Sequence, residues 1–491
     1  MNSVAHEQRL IESVPTGLLI GGEWQESVTG NRFSVNDPAT GTTLATVADA
    51  SAADAAAALD AAAAVQQEWA ATSPRLRGEI LRRGFEAVHA RADDFALLMT
   101  LEMGKSLAES HAEVNYGAEF LRWFSEEAVR VGGRYTTSPD GGSRLLVTKR
   151  PVGPALLITP WNFPLAMATR KVGPAIAAGC TMILKPADLT PLTSLLLAQV
   201  LLDSGLPAGV LNVIPTTSAA QTTEGLFRDP RLRKLSFTGS TGVGQKLLQQ
   251  ASTTVLRTSM ELGGNAPFLV FEDADIEAAV EGAVAAKLRN IGEACTAANR
   301  FLVHEDVADT FATKLADRFA AKRLGRGTDD GVEIGPLIDE SSREKVRSLV
   351  DDALERGATA LAGGAVVPGA GYFYQPTVLT GVPADARVLT EEIFGPVAPI
   401  VTFRTTEEAI KEANRTPFGL AAYAYTRDLD RVIHLSERLE TGMLGINTGI
   451  ISNPAAPFGG VKQSGLGREG GFEGIDEYLE TVYVGIAQPA S

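Results

Sequence analysis

The sequence predicts an α/β protein built on a parallel, helix-covered sheet. Past Pro151, apolar runs of about four to six residues alternate with helical stretches of about ten or more, as in sheets covered on both faces. The alternation recurs in a second region, from about Ala266 to Gly460. A chain of 491 residues also exceeds what one hydrophobic core organises, so two or three domains are expected.

In chain order, residues 49–72 and 75–103 are rich in Ala, Leu, Glu and Arg and read as two long helices, parted by Ser73 and Pro74. Residues 132–150, with RYTTS and RLLVTK, read as a hairpin interrupting the first region. The uncharged stretch 151–169 is long enough to raise a membrane question. Its prolines Pro151, Pro154, Pro160 and Pro164 make it a poor membrane helix and a good buried strand and loop. PALLIT (154–159), TMILK (181–185), GVLNVI (209–214) and KLSFTG (234–239) read as strands. LTSLLLAQVLLDSG reads as a helix closed by Gly205, and TGVGQKLLQQAS as another helix. The second region offers PFLVF and RFLVH as strands, with DIEAAVEGAVAAKLRN and TTEEAIKEANRT as helices. The tail EYLETVYVGIA reads as a last strand, and with the hairpin it suggests pairing of subunits through sheet edges.

Composition narrows the function. Hydrophobic residues at 45% and charged residues at 21% give the balance of a soluble globular protein. The 44 basic and 59 acidic side chains leave −15, which argues against a nucleic-acid partner and requires a local basic pocket for any anionic ligand. Two cysteines make no disulfide framework, and with five scattered histidines no metal site is expected. The start, MNSVAHEQRLIESVP, lacks a basic region followed by an apolar core, so the expectation is no signal peptide, no membrane partner and a cytoplasmic protein.

Several motifs invite a chemical reading. GLGREG (465–470) fits G-x-G-x-x-G but follows a loop, not the strand that a dinucleotide fingerprint requires. MetGlyLysSer (103–106) imitates the end of a P-loop, yet Met99 stands where its first glycine belongs. FTGSTGVG (237–244) does lie between a strand and a helix. Gly239, Ser240, Gly242 and Gly244 there either cradle a pyrophosphate at a helix N-terminus or form a tight, capped turn. Cys180, among apolar neighbours, reads as structural. Cys295 sits in a polar, turn-like stretch with Gly292, Glu293, Thr296 and Asn299, so a nucleophile stands beside the structural alternative. Glu261, in MELGGNAP, is a general base or a capped surface carboxylate. Asn162, in TPWNFPL, is an oxyanion donor or a satisfier of loop carbonyls.

Taken together and in order, TPWNFP, the strand end at Lys185, FTGST, MELGGNAP, the Cys295 segment, EEIFGPV and PFGGVKQSGLGREG resemble the aldehyde dehydrogenase superfamily, from about Gly22 onward. The longer stretches PWNFPLAMATRKVGPAIAAGC and GINTGIISNPAAPFGGVKQSGLGREG are similar to bacterial-type succinate-semialdehyde dehydrogenases. The resemblance implies a Rossmann-type cofactor domain (1–131 and 151–263), an α/β catalytic domain (264–463), and a β oligomerisation arm with C-terminal strand (132–150 and 464–491) of a homodimer or homotetramer. It implies attack by the Cys295 thiolate, an oxyanion held by the Asn162 amide and the Cys295 N–H, and thioester hydrolysis with Glu261 as base. It places NAD or NADP on Thr159, Pro160, Trp161, Lys185, Asp188, Gly239, Ser240, Gly244, Leu262, Glu392 and Phe394. Arg170, Arg289 and Ser452 would meet the distal carboxylate of a small aldehyde, succinate semialdehyde or a longer homologue such as glutarate semialdehyde. A thiol hydrolase or acyltransferase is the alternative of another class.

Two departures from the family pattern stand out. Many relatives carry a second cysteine two residues after the nucleophile; this chain has Ala297, so no disulfide closes within that loop. Asp188 stands where NAD-using relatives commonly show Glu, an acid that accepts from a ribose 2′-hydroxyl and repels a 2′-phosphate. The expectation is therefore NAD, with NADP accepted.

Overall fold

The computed structural model describes residues 4–487. Its first sheet has eight strands, in the order Gly465–Leu466, Arg257–Glu261, Lys234–Thr238, Ala155–Ile158, Met182–Lys185, Leu211–Val213, Leu18–Ile20, Glu23–Gln25. The five from Arg257–Glu261 to Leu211–Val213 run parallel and are buried, save the half-buried Arg257 and Thr258; antiparallel pairings flank them on both sides. Of these five the chain lays down Ala155–Ile158 first, builds outward through Met182–Lys185 and Leu211–Val213, then returns to add Lys234–Thr238 on the other side. Such a reversal of strand order opens a crevice at the strands' carboxyl ends, where ligands of α/β folds bind. Residues 159–162 and 239–241 emerge there.

The second sheet has seven strands, in the order Thr359–Ala362, Thr377–Thr380, Val397–Phe403, Ala298–His304, Ala266–Val270, Ala421–Tyr425, Met443–Ile446. Only its first pairing is antiparallel. A third sheet joins the hairpin Arg134–Thr137 and Ser143–Pro151 to Leu479–Ala487, which pairs from Leu479↔Pro151 to Ala487↔Ser143. Gly465–Leu466 pairs with Glu261 and Met260 instead, so the segment from 464 onward visits the first sheet before it reaches the arm.

Three helical details depart from the sequence reading. The stretch 75–103 is two helices, Pro74–Ala90 and Ala92–Met103, broken at Arg91 (φ −113°, ψ 27°). Asp93 and Asp94 head the second helix, where the dipole favours acids, and Arg91 Nε reaches Asp94 at 2.9 Å. The strand and loop expected over 151–169 give way at Pro164 to the helix Pro164–Ala178, every side chain of which is buried. Proline at a first helical position removes a donor that has no partner there anyway. The third is Leu107–Glu127, which the sequence reading left unassigned. Met103–Ser106 is its threshold: Gly104 (φ 97°) ends one helix and Ser106 caps the next through Glu109 N. Among the described residues no helix is long and apolar enough to cross a membrane.

Candidate active site

The crevice of the first sheet is closed from above by the second region, leaving about 260 Å³ of free space. Pro160, Trp161, Asn162, Gly239, Ser240, Leu262, Cys295, Glu392 and Phe394, all singled out in the sequence, line it. Thr159, Lys185, Asp188 and Gly244, also singled out, are not among the residues that line it. Lys185, at the end of its strand, is almost fully buried, and that burial holds its ammonium below the usual lysine range, opposed by Asp188. Gly244 packs so closely that a Cβ would meet Leu262 Cδ2 at 2.4 Å.

Cys295 is half-buried on a loop between the helix Ile276–Leu288 and the strand Ala298–His304. Asn290 (φ 53°), Ile291 (φ 62°) and Gly292 (φ 80°) take three consecutive left-handed conformations on the way. For the first two this is backbone strain of the kind that clusters at functional sites. Gly264 passes beneath: a Cβ there would lie 2.6 Å from the Cys295 carbonyl oxygen. Burial pushes the thiol up to about 12, against the lowering influence of Arg170. Asn162 Nδ2 donates to the Glu293 carbonyl at 2.9 Å, which spends one of its two hydrogens. Its Oδ1 is buried and has no partner among the described residues.

Glu261 ends the strand Arg257–Glu261, buried, with Oε2 unpartnered among the described residues. Burial, then the charge of Glu469, holds its carboxyl well above the usual carboxylate range. Glu469 in turn receives Arg170 Nε on one oxygen at 2.5 Å and Lys171 Nζ on the other. Arg170 therefore stands fully buried, already paired, with its guanidinium 4.1 Å over the Phe458 ring. The sequence reading offered it free to a substrate; the helix that buries it also delivers it to Glu469. Arg289 is different. Its guanidinium lies between the rings of Phe163 (4.9 Å) and Tyr116 (5.5 Å) and donates to no acceptor among the described residues. Together with Ala294, Thr296, Ile450 and Ile451 it lines a small cavity beside Cys295. Ser452 follows on the same half-buried loop.

The crevice suits a dinucleotide. The hydroxyl of Thr238 is buried in its wall with no partner among the described residues. The helix Thr241–Ala251 opens on it with no side chain capping its N-terminus, leaving N–H groups for an anion. Trp161 and Phe394 stand edge to face 5.5 Å apart, and Glu392 is fixed by Gly264 N–H on Oε1 at 3.1 Å.

Residues 24–484 match the model of the aldehyde dehydrogenase family. The chain belongs to that family. It is 64% identical over 446 residues to a succinate-semialdehyde dehydrogenase of Paenarthrobacter nicotinovorans, covering 91% of this chain and 99% of that one. It is 50% identical to the succinate-semialdehyde dehydrogenase [NADP(+)] of Escherichia coli (strain K12), over 95% and 96% of the two chains. Among solved structures, a succinate-semialdehyde dehydrogenase from Burkholderia pseudomallei superposes with a TM-score of 0.95 at 49% identity, over 97% of this chain and 98% of the other.

In this aldehyde dehydrogenase the sequence reading missed Lys171, Glu469, Asn290, Ser342 and Lys345. The last two lie on the helix Glu340–Glu355 and line the crevice. Glu469 falls inside GLGREG, a motif set aside for lacking a strand before it. Its glycines serve backbone turns (Gly467 φ 83°, Gly470 φ 70°) that aim the carboxylate inward. An acid set among Gly465, Gly467, Gly470 and Gly471 was the available signal.

Proposed function

We propose that this aldehyde dehydrogenase oxidises succinate semialdehyde to succinate with NAD or NADP. The observation that carries the substrate is the Arg289 guanidinium, which has no acceptor among the described residues and lines a small cavity with Ala294 and Thr296, the two neighbours of Cys295 in the chain. In a chain of net charge −15, an arginine stacked on two rings and without an acceptor among the described residues is a built receptor for a carboxylate. The Tyr116 hydroxyl, buried without a partner among the described residues, and Ser452 supply further donors. Arg170, neutralised by Glu469, orders the wall and lowers the thiol's pKa.

The Cys295 thiol gives up its proton to solvent, and the sulfur adds to the aldehyde carbon. The oxyanion is met by the second Nδ2 hydrogen of Asn162 and by the Cys295 N–H. A dinucleotide bound in the crevice supplies the two-electron acceptor for oxidation of the thiohemiacetal to a thioester. Glu261, its carboxyl held well above the usual carboxylate range by burial and by Glu469, then takes a proton from the water that hydrolyses the thioester. The decisive experiment compares succinate semialdehyde, glutarate semialdehyde and butyraldehyde by the absorbance of the reduced nicotinamide. Preference for the four-carbon acid aldehyde supports the reading, and preference for butyraldehyde overturns it. One methylene is worth about 1–3 kcal/mol, so the longer homologue is the nearest competitor. Turnover of an ester with no dinucleotide reduction in any pairing would favour a thiol hydrolase.

We read the cofactor as NAD, with NADP accepted, because Asp188 stands beside Lys185. The protein is read as cytoplasmic, its Cys180 and Cys295 both free thiols. It is read as a homodimer or homotetramer through the three-stranded arm, which leaves Tyr135, Tyr483 and Ile486 exposed.

A further inference from the structure

Lys105, Asn162, Asn290 and Glu293 come from three separate stretches of chain and meet in one polar knot behind Cys295. Asn290 Nδ2 donates to two carbonyls at once, Asn162 O and Glu293 O, each at 3.0 Å. Asn162 Nδ2 donates to the same Glu293 oxygen at 2.9 Å. Lys105 Nζ donates to Asn162 O at 2.8 Å and pairs with Glu113, both side chains buried. Glu109 accepts the Asn290 N–H at 2.6 Å. The backbone at Asn290 is left-handed (φ 53°, ψ 41°). Asparagine and glycine tolerate that conformation, and only asparagine brings the amide donor as well.

The two donors proposed for the oxyanion sit on opposite sides of this knot: the Asn162 amide on the sheet side, the Cys295 N–H two residues beyond Glu293. We propose that Asn290 is a positioning residue that fixes these donors relative to one another. This inference rests on the oxyanion role given above to Asn162. The Asn290 amide does not touch the reacting atoms. It ties the Asn162 backbone to the Glu293 carbonyl that also orients the Asn162 side chain, and so leaves one Nδ2 hydrogen of Asn162 aimed away from Glu293 for the oxyanion. A donor displaced by a fraction of an ångström loses much of its effect on a developing charge.

Asn290→Gly tests this, because glycine keeps the left-handed backbone while removing the amide. The rate of the first, stoichiometric burst of reduced cofactor should fall about 10- to 100-fold, with KM and dinucleotide affinity within about twofold of the parent. Alkylation of Cys295 by iodoacetamide, a displacement that builds no oxyanion, should stay within about twofold. Asn162→Ala alone should lose about 100- to 1,000-fold, and adding Asn290→Gly to it should cost less than about threefold more. An unchanged burst rate, alkylation falling in step with the burst, or the full Asn290→Gly loss repeated in the Asn162→Ala background would each overturn the proposal. If Asn162→Ala itself leaves the burst rate unchanged, the oxyanion reading fails first, and the inference falls with it.

Discussion

Arg170 and Glu469 lie 299 residues apart in the chain and 2.5 Å apart in the fold, Nε to Oε2. Lys171 occupies the other oxygen of Glu469, so two buried cations share one buried anion. Glu261 lies within the field of all three: Glu469 raises its carboxyl, while Arg170 and Lys171 lower it. The site thus sets its base through a buried triad none of whose members adjoins Glu261 in sequence.

Glu469→Gln should move the pH dependence of turnover. Removing the anion takes away one raising influence and leaves burial opposed by the neighbouring cations, so its carboxyl ionises at lower pH. The rising limb of kcat against pH should shift to lower pH. A limb that stays in place or moves upward would separate Glu261 from this triad. The same change strands two buried cations and should cost about 3–5 kcal/mol of stability, visible as a fall in Tm.

Cys295 and Glu261 separate by the stage at which each is needed. Cys295→Ala should abolish oxidation while leaving dinucleotide affinity, measured by calorimetry, unchanged. Glu261→Gln should still give one equivalent of reduced cofactor per active site, then turn over about 100- to 10,000-fold more slowly. Loss of the burst itself would mean that Glu261 is required before the thioester forms.

The features legible in the sequence were those whose cause is local. FTGST is a strand end meeting a helix start, and the turn before Cys295 announces itself by its small and polar residues; the structure brings both to one crevice. What was illegible depended on long-range pairing. Nothing near Arg170 indicates that Glu469 will neutralise it, and nothing near Lys105 indicates that it will donate to the carbonyl of Asn162. The helix Leu107–Glu127 was missed for the same reason. It buries Ser110 and Glu113, which spoil an apolar stripe, because Thr100 and Lys105 satisfy them from outside the helix.

Lys287 should make stability depend on pH. Its Nζ is buried with no partner among the described residues, and burial brings it down to about 7. A lysine lowered in the fold favours folding fully above its usual value near 10.5, and that contribution is lost as pH falls through about 7. Lys287→Met removes the proton linkage and should raise Tm by more at about pH 6 than at about pH 8.5. Equal gains at both would mean that water already reaches the ammonium.

Asp188 tests cofactor choice. If its carboxylate repels a 2′-phosphate, Asp188→Ser should raise the NADP-to-NAD ratio of kcat/KM by about tenfold or more, chiefly through KM for NADP. An unchanged ratio would place the discriminating contact elsewhere around Lys185.

Recognition of the distal carboxylate is best tested away from Arg170, whose removal would also strand Glu469. Arg289→Met keeps an apolar stem between Phe163 and Tyr116 while deleting the charge, and Tyr116→Phe deletes only a hydroxyl. A hydrogen bond to a charged group is worth about 1.5–3 kcal/mol, so each change should raise KM for succinate semialdehyde by about 10- to 100-fold, with Arg289→Met the larger. Butyraldehyde has the same carbon count and no carboxylate, so its kcat/KM should stay within about threefold of the parent in both variants. If both substrates suffer equally, Arg289 and Tyr116 shape the wall rather than bind the anion. If Tyr116→Phe alone is silent, the carboxylate sits on Arg289 with Ser452 as its second donor.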